Sequence, residues 1–203
     1  TATTLEAGTP LLRNFRPGDY GAEGQNWAIA QGPDGSLYFG NNRGVLHFDG
    51  QRWRLIPVAN QSTVRSLVTD ASGRVYVGAV GEIGYLAPTA DGQLRYVSLL
   101  DRLPAEARGF SDVWNTLMTS DGVVFSSPQR LLLWRDDRFH HWAPAMRFGV
   151  ALGGMQGIYV VEPGRGLLQL RGERLLPLPG AERIDNPARF GLVPLPGGSA
   201  EHP

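Results

Sequence analysis

The sequence predicts an all-β protein: a β-propeller of four-stranded antiparallel blades, with about four and a half blades in the chain, hence an incomplete ring. Three observations predict it. Four times the chain repeats a unit of four short apolar runs divided by turns. The turn glycines Gly35, Gly73, Gly122 and Gly157 lie 38, 49 and 35 residues apart, close to the roughly 40–45 residues of a propeller blade. The runs are short, rich in β-branched and aromatic residues, and bounded by Gly, Asp, Asn or Pro, as strands are.

The elements follow in order. The first runs open at Trp27, Val64, Val113 and Phe148, and each leads into a turn: Asp34-Gly35, Ser72-Gly73, Asp121-Gly122 and Gln156-Gly157. The second runs are Leu37-Tyr-Phe-Gly, Val75-Tyr-Val-Gly, Val123-Val-Phe-Ser and Ile158-Tyr-Val-Val. The third runs are Val45-Leu-His-Phe, Ile83-Gly-Tyr-Leu, Leu131-Leu-Leu-Trp and Leu167-Leu-Gln-Leu; the fourth carry Trp53, Tyr96, Trp142 and Leu176. The first two runs of each unit are apolar on both faces, as expected of inner strands covered by neighbouring blades on each side. The fourth runs are mixed, as expected of an outer strand, and their aromatics are expected to pack between blades.

The expected organisation is a lead-in over residues 1–25 and propeller repeats over 26–203. The blades span approximately 26–60, 61–100, 110–145 and 147–180, with a partial fifth over 183–203. Asp101–Asp112 breaks the pattern and reads as an extended inter-blade loop, with Pro104 opening a single helical turn. The fifth unit begins at Arg189-Phe-Gly-Leu-Val-Pro and lacks its second strand. A one-stranded blade leaves an open edge. The expectation is a longer native protein; otherwise the lead-in, or a second copy in a homodimer, would complete the ring.

Composition bounds the function. A chain of 203 residues buries roughly 70% of its unfolded surface. With 19 basic and 19 acidic residues there is no overall field to favour nucleic acid. Every cationic Lys/Arg position is arginine, which suits carboxylate recognition but locates no site. Cysteine is absent, so there is no disulfide and no thiolate chemistry. No apolar stretch is long enough to span a membrane as a helix.

The run from Asn26 to Trp53, with its Asp34-Gly35 turn, Leu37-Tyr-Phe-Gly strand, Gly44-Val-Leu and aromatic end, resembles the two-component regulator propeller repeat. The second unit resembles it as well. The third keeps Asp121-Gly122 but loses the strand-end glycine to Ser127, and the fourth is degenerate. The resemblance spans roughly residues 26–200. It implies a periplasmic sensor domain attached to C-terminal transmembrane and output domains such as a histidine kinase or diguanylate cyclase, and names no ligand.

Registering the units on their turn glycines puts Trp27, Arg65 and Trp114 at equivalent positions, eight residues before Gly35, Gly73 and Gly122. They belong at the upper end of the innermost strands, at the channel mouth. Loops between second and third strands add Asn42 and Arg43, then Glu82, then Arg130. Such a set suits a small polar ligand: indole stacks on a saccharide or heterocycle, and guanidinium forks a carboxylate. The structural alternative is that the tryptophans plug blade interfaces and Arg65 pairs with Glu82. Adjacent strand residues face opposite ways, so His140-His141 cannot chelate one ion, and no metal or other cofactor is expected. No nucleophile–base or paired-carboxylate motif points to catalysis. The leading expectation is a non-enzymatic ligand-binding sensor. The alternatives are a protein-interaction scaffold and a propeller lyase or glycosidase resting on Glu82 with Arg65.

Overall fold

A computed structural model describes residues 12–154, 157–184 and 186. It contains four four-stranded antiparallel sheets in strict sequence order. The first blade is β1 (Asn26–Gln31), β2 (Leu37–Asn41), β3 (Gly44–Phe48) and β4 (Trp53–Ile56); the second is β5 (Val64–Thr69), β6 (Val75–Ala79), β7 (Glu82–Pro88) and β8 (Leu94–Ser98). The third is β9 (Asn115–Thr119), β10 (Gly122–Ser126), β11 (Leu131–Arg135) and β12 (Arg138–Trp142). The fourth is β13 (Leu152–Gly154), β14 (Gly157–Glu162), β15 (Gly166–Arg171) and β16 (Arg174–Pro177). Innermost strands neighbour one another in the order β1, β5, β9, β13, so the blades stand side by side in an open arc. The partial fifth unit at Arg189 lies outside the described residues.

The repeat's turns have a simple cause. In the second blade Asp70 Oδ1 accepts from the Ser72 N–H at 2.8 Å and the Arg74 N–H at 2.9 Å, and Gly73 N–H closes the turn on Asp70 O. The first blade repeats this with Asp34, whose carboxylate accepts from the Ser36 N–H and hydroxyl. An aspartate that satisfies its own turn and a glycine at φ +83° or +87° fix the β1–β2 and β5–β6 hairpins.

Burial is deepest in the second and third strands, not in the first two: β6 and nearly all of β10 and β11 are fully buried, whereas β1 is largely exposed. No described sheet covers the outer face of the first blade, so Ile29 is 62% exposed. Part of that face is covered by the lead-in. Phe15 packs edge-on against Phe48 and Trp53 (both 5.2 Å between centroids), and Tyr20, from the one-turn helix α1 (Pro17–Tyr20), lies 5.4 Å from Trp53. Trp53 therefore packs under the lead-in, while Tyr96 and Trp142 pack at the interfaces between blades one and two and between three and four.

The 101–112 segment is more than a loop. It makes two single 3-10 turns, Leu100–Arg102 and Ala105–Ala107, the second capped by Pro104. Leu103, Ala107 and Phe110 drop into the core between blades two and three, against Tyr76, Ile83 and Phe125. The extra length that spoiled the repeat spacing is thus a core plug.

How closely two blades approach is set at the end of each second strand. A Cβ on Gly40 would meet Val64 Cγ1 at 2.9 Å, and one on Gly78 would meet Val113 Cγ1 and Thr116 Oγ1 at 2.6 Å, both on the incoming innermost segment of the next blade. Only a residue without a side chain lets the strands come this near. Gly78→Ala is expected to destabilise the fold by about 1–3 kcal/mol through overpacking, read as a lower urea midpoint at unchanged slope.

His47 stacks on Tyr38 at 4.8 Å between ring centroids, and burial lowers its pKa below the ordinary histidine value. The folded state therefore favours the neutral ring. Its contribution to stability is complete above the unfolded value of about 6.5 and is lost as pH falls toward the depressed folded value, because the unfolded chain binds the proton more readily. Chemical denaturation across pH 5–8 is expected to show this acid-side loss, and His47→Phe to flatten it.

Candidate functional site

At one end of the innermost strands the chain builds a single cluster from three blades. Trp27 lies at the register shift between Asn26 and Ala28, and Arg65 at the corresponding shift between Val64 and Ser66. A bulge of this kind turns a side chain out of the ladder and re-aims it. Trp114 immediately precedes β9. Arg65 Cζ lies 4.0 Å from the Trp27 ring centroid and 4.7 Å from that of Trp114, and the two indoles meet edge-on at 6.0 Å. The guanidinium is thus shared by two aromatic faces, each contact favourable through the ring quadrupole.

The cluster is held from below and from the side. Arg65 Nε donates to Asp112 Oδ1 at 2.7 Å, a pair with side chains only 17% and 25% exposed. Asp112 is placed there by its bridge to Val80, at the end of the 101–112 plug. The Trp27 indole N–H donates to Asn42 Oδ1 at 2.8 Å, and Asn42 in turn donates to Glu23 Oε2 at 2.8 Å. Both tryptophans remain 42% exposed.

The other expected site residues are placed elsewhere. Arg43 is exposed, its backbone N–H donating to Asn41 Oδ1 at 3.1 Å. Arg130 donates to Glu106 O at 2.9 Å and to Gln129 O at 2.8 Å, tying the plug to the β10–β11 turn. Glu82 is buried, and the structural alternative that pairs it with Arg65 is corrected: Arg65 holds Asp112. Glu82 Oε1 accepts from Ser98 Oγ at 2.6 Å and Tyr96 Oη at 3.1 Å, across to the outer strand of its own blade. Burial, followed by the neighbouring Glu82 charge, raises the Tyr96 pKa well above its ordinary range, so the phenol stays a donor. Gly84 leaves room for that ring, since a Cβ there would lie 2.5 Å from Tyr96 Oη.

Asn41 and Glu162 do similar work at the ends of β2 and β14. Asn41 Nδ2 lies 2.6 Å from Glu23 O and 3.0 Å from Gln25 O, and Glu162 accepts from Ala145 N–H at 2.8 Å and from Arg165 Nη1 at 2.7 Å. Each fastens the segment that enters its blade. His140 and His141 face Glu173 and Glu106 respectively, at 3.5 and 3.9 Å, on opposite sides of the sheet. Among the described residues no group of three or more His, Asp or Glu side chains could hold a metal ion.

Sequence reasoning missed a cleft beside the cluster, about 170 Å³ in volume, between blades three and four. Trp114, Asn115, Ser126, Arg147, Phe148 and Val150 line it. Ser126 occupies the position that Gly40 and Gly78 hold in the first two blades, so the close approach made there is not repeated, and space remains. The signal was present as the lost strand-end glycine of the third unit, but the sequence reading placed it at Ser127. The strand pairing, Asn115 with Ser126 as Ala28 with Gly40 and Ser66 with Gly78, places it at Ser126.

The fold is that of a β-propeller, and the comparisons with solved structures agree. The chain is similar to a catalytically inactive histidine variant of virginiamycin B lyase from Staphylococcus aureus with quinupristin (TM-score 0.55, 16% identity, 77% of this chain and 57% of that one). It is similar to the WD40 propeller domain of Doa1 (TM-score 0.53, 10% identity, 74% and 52%). It also resembles the extracellular domain of a protein from B. thetaiotaomicron assigned as a one-component system (TM-score 0.53, 17% identity, 87% and 22%). The chain thus spans between about a fifth and somewhat over half of these structures' lengths. No family model matches the sequence, and no curated protein matches it.

Arg65→Ala is expected to cost about 2 kcal/mol in urea unfolding, since it removes two cation–π contacts and leaves a partly buried Asp112 unpaired. Arg65→Lys should recover less than half, because a compact ammonium cannot lie flat between two indoles while donating to Asp112.

Proposed function

We propose that the chain is the ligand-sensing input module of a signalling protein, placed on the extracytoplasmic side of a membrane. The observation that carries it is the Trp27–Arg65–Trp114 cluster: blades one and three deliver exposed indoles, and blade two the arginine that holds them, to one end of the innermost strands. Two lines support the reading. The repeat resembles that of two-component regulator propellers, and the fold resembles the extracellular domain of a one-component system. No described helix is long and apolar enough to cross a membrane; in this reading the spanning and output segments belong to a longer chain. Asn42, which accepts from the Trp27 indole N–H, extends the mouth, and a small polar ligand is the expected occupant. Arg130 and Glu82 serve as supports, one holding the plug and the other an outer strand.

Signalling requires that the ligand bind two states unequally. Stacked blades with glycine-tight interfaces deform little, so the second state is assigned to the geometry between protomers or to the link with the output segment.

The likeness to virginiamycin B lyase keeps a second reading, a propeller lyase, in view. Among the described residues, His47 is stacked on Tyr38 and His140 and His141 face glutamates, so none stands at the cluster.

The test is made on the full open reading frame. Its output activity is expected to respond to a ligand applied outside, and Trp27→Ala with Trp114→Ala to abolish the response while leaving basal output intact. A gene product without membrane anchor or output domain would refute the reading. Turnover of a ligand that survives loss of both tryptophans would favour the lyase.

A further inference from the structure

We propose that the cleft between blades three and four binds a small aromatic carboxylate, with its ring on Trp114 and its carboxylate on Arg147. The inference rests on the receptor reading above for its biological meaning and names the ligand class that receptor takes.

Two cations stand by Trp114: Arg65 in the cluster and Arg147 in the lining of the cleft. Arg65 was the expected carboxylate reader, but its side chain is only 17% exposed and its Nε is taken by Asp112. Its guanidinium sits in the angle between the Trp27 and Trp114 rings, with Nη1 buried and without a partner among the described residues. Its charge is offset by Asp112, and its ring contacts hold the two tryptophans. Arg147 is different. It is exposed, lines the cleft, and makes no ion pair among the described residues. It reaches the site from the segment that enters blade four, which Phe148 anchors by donating its N–H to Pro128 O at 2.8 Å. A guanidinium without an ion pair, lining a slot whose other walls include Trp114, Phe148, Val150 and Pro128, is a partner for a carboxylate.

The lining then decides what carries the carboxylate. One wall is the Trp114 indole, and Phe148, Val150 and Pro128 supply further apolar surface. The Ser127 hydroxyl is spent within its own turn, donating to Arg130 O and accepting from Arg130 N–H. Asn115, which lines the cleft, has its Oδ1 buried and without a partner among the described residues, and can accept one donor. A sugar ring would bring several hydroxyls, and each one left unpaired would cost its desolvation. A flat apolar ring loses nothing there and stacks on the indole. The volume of 170 Å³ equals that of roughly six waters at about 30 Å³ each, enough for one ring and its carboxylate.

Val150 completes the assignment. It is exposed at the cleft in the fourth blade, beside Gly149, whose N–H donates to Val161 O. The position eight residues before Gly157, which Trp27, Arg65 and Trp114 hold in their own units, is Gly149; Val150 beside it is the exposed apolar neighbour.

The test uses the chain as it stands, with benzoate as the probe and calorimetry together with indole N–H resonances as the readout. Benzoate is expected to bind saturably, one per chain, and to shift the Trp114 resonance. Arg147→Gln should weaken it about tenfold, and benzamide should bind the wild type about tenfold more weakly than benzoate, both from loss of the charged fork. Val150→Trp should abolish binding by filling the slot. No saturable benzoate binding, binding unchanged in Arg147→Gln, or glucose binding as well as benzoate would each overturn the assignment. Benzoate binding that leaves the full-length protein's output unaltered would uphold the site and count against the signalling reading. Absence of benzoate binding with an output that answers another ligand would do the reverse.

Discussion

The distance between neighbouring blades is the constraint on which the rest depends. Two twisted sheets pack face to face only if their side chains interdigitate, and near the propeller axis there is least room for them. Gly40 and Gly78 meet this limit by having no side chain where the next innermost strand arrives. Because blades one, two and three approach so closely, residues from β1, β5 and the start of β9 can share one guanidinium. Where Ser126 replaces the glycine, the same geometry leaves a cleft. The cluster and the cleft are two consequences of one spacing rule, kept twice and broken once.

Polar groups that would look catalytic in a motif search are spent on construction. Glu82 satisfies Tyr96 and Ser98, Glu162 satisfies a backbone N–H and Arg165, and Asn41 gathers the lead-in carbonyls. Each sits where a chain enters or leaves a blade, where backbone groups lose their ladder partners and must find others. What remains there includes the aromatic surface of Trp27 and Trp114, the exposed Arg147, and Asn115 Oδ1, which has no partner among the described residues.

Much of this was legible because propeller blades repeat. Equivalent residues of successive blades become neighbours around the axis, so aligning units in one dimension located Trp27, Arg65 and Trp114 together. The same alignment failed for Asp112, which comes from a non-repeating insert and has no equivalent to align with. It failed for Glu82 because register gives a residue's height along a strand but not which neighbour its side chain meets. The expected order of burial was shifted by one strand, since innermost strands border the axis and the arc of described blades leaves that side open.

The sequence by itself determined the number of strands, their grouping into blades and the meeting of two tryptophans with one arginine, because hydrophobic period and turn chemistry are local and the repeat carries them around the axis. Only the tertiary structure decided that Arg65 is buried in its own cluster while Arg147 is free, and that the insert supplies both a core plug and the partner Asp112. Those outcomes depend on which charges reach each other across blades. Such pairings are set by distances in space, between residues as far apart in the chain as Arg65 and Asp112.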